Sequence, residues 1–97
     1  MPLHPPSIEI EGYEMEDLHE FHKTNDMALA TFLKMNGHAT QKTLWEGGTC
    51  YWYFRLSDGL VTMIDTFVDG RARVEPREYN RTFTQTKREF HAARDEN

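Results

Sequence analysis

Residues 17–22, "DLHEFH", set two histidines around a glutamate in the most acidic part of the chain. The zinc-protease motif H-E-x-x-H works because a helix brings residues four apart onto one face, with the glutamate beside the metal-bound water. Here the spacing is H-E-x-H, one residue short. On a helix His19 and His22 would still be neighbours, whereas on a strand, where side chains alternate, they point to opposite sides. The segment alternates Leu18, Glu20 and His22 with His19, Phe21 and Lys23 just before a helix cap, the pattern of a short strand. The histidines therefore separate. His4, His38 and His91 fall in other elements and there is no cysteine pair, so neither a metal nor another cofactor is expected.

Nucleophilic chemistry would need Cys50 with His38. Cys50 lies in the apolar run "TCYWYF", where a buried thiol stays protonated and inert. Asp65 and Asp69 are four apart, and with Asp58 they read as the solvated side of a helix rather than a catalytic carboxylate pair. Neither a P-loop nor a dinucleotide glycine pattern is present. No catalytic residue is expected, and the chain reads as a non-enzyme.

What remains is contact chemistry. Tyr51, Tyr53 and Arg55 alternate along one strand and so share a face, and Arg71, Arg73 and Arg77 follow in and beside a connector. Aromatic side chains on a sheet with arginines nearby stack bases and hold phosphates in single-strand binders. The same composition marks protein interfaces, including homodimers. These six residues are the candidate binding set, with protein–protein contact the first reading and a nucleic acid or nucleotide the alternative. Charge favours the first: the chain carries −5 overall, with seven acidic residues against Lys23 in residues 1–26 and seven basic against three acidic in 71–94. A bound polyanion would meet repulsion from the acidic end.

These residues need elements to position them. Leu29, Phe32 and Leu33 recur at helical spacing over 26–36, with Thr24 or Asn25 as cap and Gly37 as stop. Residues 38–56 read as a β-hairpin turning at "EGG", its second strand directing Cys50, Trp52, Phe54 and Leu56 to the core. Ser57 caps a second helix whose stripe is Leu60, Met63, Ile64, Phe67 and Val68, ending at Gly70. Pro76 suits the first turn of a third helix, with Tyr79, Phe83 and Phe90 on its apolar side and "ARDEN" fraying. The order β-α-β-β-α-α implies an α+β fold: a three-stranded antiparallel sheet with helices packed on one face.

Ninety-seven residues with 38% hydrophobic content suit one small domain, over 18–97. Three prolines in positions 2–6 and a paucity of large apolar groups make 1–17 a flexible acidic arm, although Ile8 and Ile10 could add an edge strand to this molecule or a partner. No stretch is apolar enough to span a membrane, and "MPLHPPSIEIEG" lacks the regions of a signal peptide. A cytoplasmic protein with no membrane partner is expected.

The runs "KTNDMALATFLKMNGH", "GGTCYWYF", "FVDGRARVEPREY" and "TKREF" resemble a family of small domains of unknown function in bacteriophages and bacterial genomes. The matching positions are Thr24, Asp26, Leu29, Ala30, Phe32, Leu33, Gly37, His38, Gly48, Tyr53, Phe54, Val74, Pro76, Arg77 and Tyr79, within residues 21–90. "N-G-H" stands where the family has "K-G-H", and the first 20 residues have no counterpart. Most of these positions are caps, turns and core, so the resemblance implies a fold and transfers no catalytic residue. It implies a phage or mobile-element origin, hence action in the host cytoplasm on a host or phage protein, for example by inhibiting antiphage defence.

Overall fold

In the computed structural model, which describes residues 20–96, the elements run β1 (Phe21–Thr24), α1 (Met27–Met35), β2 (Thr40–Glu46), β3 (Thr49–Arg55), α2 (Asp58–Val68) and α3 (Pro76–Asp95). This is the expected β-α-β-β-α-α order. The proposed arm over 1–17 and His19 lie outside the described residues.

Local chemistry fixes most element ends. Asp26 caps α1, its carboxylate accepting from Ala28 N (2.9 Å) and Leu29 N (3.1 Å). The sequence pointed to Thr24 or Asn25 as the cap, but the Thr24 hydroxyl instead accepts from Asp26 N (3.0 Å) and orients the capping residue. Ser57 caps α2 by accepting from Leu60 N (3.0 Å). Pro76 occupies the first turn of α3, with Glu75 as cap accepting from Glu78 N (2.8 Å). Of the segment expected to fray, Ala93–Asp95 are helical, because Ala93 is buried against the core and holds the last turn down.

The sheet is antiparallel in the order β1-β3-β2, which makes β3 central. The β2–β3 turn uses only Gly47 and Gly48, with φ of 58° and 83°, the two positive values that a tight two-residue hairpin turn requires. Cys50, Trp52 and Phe54 point inward and are buried. They meet Leu29, Ala30 and Leu33 of α1, Leu60 of α2 and Ala93 of α3 in one core. Two expected core positions differ. Leu56 follows the last residue of β3 and is 40% exposed, because its backbone N–H turns to Glu20 O (2.7 Å) where the strand ends. Val68, the last residue of α2, is 72% exposed, while its neighbour Phe67 takes the contact with Phe32 of α1.

His22 stands on the inward side of β1 opposite Phe54, and burial lowers its pKa below the ordinary 6.5. The fold holds this imidazole neutral while the unfolded chain protonates it first, so its contribution is present above about pH 6.5 and is lost as pH falls. Urea midpoints measured at about pH 7 and about pH 5.5 should therefore differ less in His22→Gln than in the wild type. An unchanged difference would show that other groups carry the acid sensitivity.

Candidate functional site

Because β3 is central, its outward residues have neighbours on both sides. The register sets Phe21 opposite Arg55 and Lys23 opposite Tyr53 on β1, and Lys42 opposite Tyr53 and Leu44 opposite Tyr51 on β2. Opposed residues share a face, so these side chains form one surface on the side away from the helices. The Phe21 and Tyr53 rings meet edge to face with centroids 6.5 Å apart. Lys23 Nζ sits 4.3 Å from the centroid of the Tyr51 ring, and the Arg55 guanidinium 5.2 Å from that of Phe21, both at cation–π range.

Two cations of this face, Lys23 and Arg55, are each paired with a carboxylate. Glu46 accepts from Lys23 Nζ at 2.9 Å through one oxygen and from the Tyr53 hydroxyl at 3.1 Å through the other. Arg55 Nη1 donates to Glu20 Oε1 (3.2 Å). The Tyr53 pKa is pushed up, first by burial and then by its bond to Glu46, while the Glu46 bond is the main cause that raises that of Lys23. Both groups stay protonated. The face presents rings and donors beside the paired carboxylates of Glu46 and Glu20.

The candidate set divides in space. Tyr51, Tyr53 and Arg55 stand together as expected. Arg71 and Arg73 lie on the connector between α2 and α3 and Arg77 in the first turn of α3, and those helices pack on the opposite side of the sheet. Arg71 pairs with Asp69 (3.2 Å) and Arg73 donates to Ala72 O (2.9 Å). Phe21, Lys23, Leu44 and Glu46 belong to the face and are absent from the sequence-derived set. Period-two alternation along β1 was a visible signal for Phe21 and Lys23, but nothing local reveals which strand β1 joins.

Cys50 is buried in the core, where burial, and secondarily the Glu89 charge, push its thiol pKa up. Asp65 is exposed on α2, and Asp69 caps its C-terminal end. Among the described residues no group of three or more His, Cys, Asp and Glu could hold a metal ion. No helix among them is long and apolar enough to cross a membrane.

A concavity of about 390 Å³ opens between the end of α1, the start of β2 and α3, with Lys34, His38, Thr40, Gln85 and Glu89 among its lining. Its two charges are committed to each other: Lys34 Nζ donates to Glu89 Oε1, and also to Thr86 Oγ1 (3.1 Å). Glu89 Oε1 accepts in addition from Trp52 Nε1 (3.0 Å), and the Thr31 hydroxyl reaches Thr86 Oγ1 at 3.0 Å. This network ties α1, α3 and β3 together.

The chain matches a family of domains of unknown function, DUF5659, over residues 19–92, and belongs to it. No curated protein and no solved structure matches it.

Proposed function

We propose that this DUF5659 member is a small non-enzymatic binding protein that acts by protein–protein contact through the outward sheet face, around Tyr51, Tyr53 and Arg55. What supports the reading is one arrangement: three aromatic rings, from Phe21, Tyr51 and Tyr53, held in fixed orientations by cation–π and edge contacts, with their cations already neutralised by Glu46 and Glu20. Rigid aromatic side chains beside arginine are the groups that dominate interface energetics. A phosphate backbone would have to displace Lys23 and Arg55 from their carboxylates, and the place of Arg71, Arg73 and Arg77 on the connector and last helix argues against one shared phosphate-binding surface. In keeping with the resemblance to phage and bacterial domains, the partner is a host or phage protein, and modulation of a host process such as antiphage defence is the use proposed.

The test is capture from host lysate with three baits, read by mass spectrometry and then by affinity for the captured protein. Tyr53→Ala should weaken that affinity by about 2 kcal/mol, the cost common for a central interface tyrosine, whereas the Arg71→Ala/Arg73→Ala double variant should change it by less than about 0.5 kcal/mol. Micromolar binding to single-stranded oligonucleotides that weakens steeply with salt and is lost in the arginine variant would defeat this reading in favour of nucleic acid.

A further inference from the structure

β2 lies at one side of the sheet, and only its border with β3 is paired among the described residues. The two-residue turn makes Glu46 and Thr49 the hydrogen-bonded pair that closes the hairpin. Bonded and non-bonded pairs then alternate, so Leu44–Tyr51 and Lys42–Tyr53 are bonded, while the backbone N–H and C=O groups of Thr43 and Trp45 point away from β3. The register breaks between Thr40 and Lys42, where Gln41 bulges, so the regular edge is Lys42-Thr43-Leu44-Trp45-Glu46, bounded by a bulge and a turn and centred on Leu44. The other border of the sheet is protected differently: β1 is four residues long and carries an exposed lysine, Lys23.

We infer that the β2 edge pairs with the β2 edge of a second copy of this chain, antiparallel about a two-fold axis through Leu44. The segment is self-complementary in that register. Thr43 comes opposite Trp45 of the second copy, and these are the residues whose backbone groups face outward, so they exchange both bonds. Lys42 comes opposite Glu46 of the second copy on the same face, and the symmetry repeats the pair. Glu46 keeps lone pairs for this contact, since Lys23 and Tyr53 each take one direction on separate oxygens. Leu44 meets its own copy in a non-bonded pair, where side chains approach most closely. A slip by one residue would set outward groups against inward ones, and a slip by two would place Lys42 against Leu44 or against Gly48 and lose the charge match. The result is one continuous sheet in which the two outward aromatic faces lie side by side. This inference does not rest on the proposed function.

Analytical ultracentrifugation of the full chain tests it. The wild-type mass should rise from the 11.4 kDa of one chain and level at twice that across the micromolar range. Lys42→Glu alone and Glu46→Lys alone each set like charges opposite at both symmetric contacts, and each should self-associate at least about tenfold more weakly. An equimolar mixture of the two variants restores opposite charges at both contacts and should recover dimer. Thr43→Pro removes an outward N–H without touching the β3 ladder, and should be monomeric with its melting temperature little changed when measured below the wild-type dimerisation range. A wild type that stays at one chain, or whose mass climbs without levelling, overturns the inference. So does dimerisation of Thr43→Pro, which decides the matter even if the loss of Lys23 and Tyr53 contacts unfolds Glu46→Lys. Tyr53→Ala should leave this dimer intact while losing the captured partner, which separates failure of one reading from failure of the other.

Discussion

Trp52→Ala should destabilise the domain by about 3–5 kcal/mol, a large share of the roughly 5–15 kcal/mol that holds a domain of this size together. Trp52 is 1% exposed on the central strand and is the largest fully buried side chain. Truncation opens a cavity where the sheet meets all three helices, and it leaves the Glu89 carboxylate without the indole N–H that donates to it at 3.0 Å. Melting temperature should fall by at least about 12 °C, at 4–8 °C per kcal/mol for a chain of this length. Trp52→Phe keeps much of the ring and loses the donor, so it should fall between, at about 1.5–3 kcal/mol. A Trp52→Ala protein that unfolds near the wild-type urea midpoint would mean that the core is not organised around β3.

The assignment of Trp52 to the core was legible from alternation alone, because β3 is a single strand with seven residues in register and no bulge of its own. Ser57, Pro76 and the Gly47-Gly48 pair were legible for a related reason, since each satisfies a local backbone requirement that does not depend on what packs nearby, whereas the cap of α1 fell on Asp26 rather than Thr24 or Asn25. Leu56 and Val68 were misassigned because alternation and helical periodicity say where a side chain points but not where the element stops. The face around Tyr53 was half legible. Its β3 residues follow from period two, but Phe21 and Lys23 arrive only because β1 docks beside β3 rather than β2, a choice made by tertiary packing. Sequence proximity to the hairpin groups Arg71, Arg73 and Arg77 with that face, but the side of the sheet on which a connector runs is set by the helices it joins.

Least legible of all was the pairing of Lys34 with Glu89, 55 residues apart, which the α1–α3 crossing alone creates. Its removal carries the second large expected effect. Lys34 is 10% exposed at its side chain and Glu89 30%, so the pair is partly screened and should count for less than the 3–5 kcal/mol lost on breaking a fully buried pair. Glu89→Ala nevertheless removes two partners at once, leaving the ammonium with Thr86 Oγ1 as its remaining bond and the Trp52 N–H with none, and should cost about 2–3 kcal/mol. Glu89→Gln keeps an acceptor for the indole and loses the charge, and should cost about half as much. The decisive measurement is a double-mutant cycle with Lys34→Met and Glu89→Leu. If the pair mainly fixes how α3 sits on α1, each single change is costly and the double recovers the part of the loss that belongs to the two desolvated charges, while the Trp52 indole N–H stays without its acceptor in both Glu89→Leu backgrounds. Additive losses would make the two residues independent surface contributors. A recovered double variant whose amide spectrum broadens would in turn identify the pair as the element that selects one helix register, since apolar contact alone tolerates several.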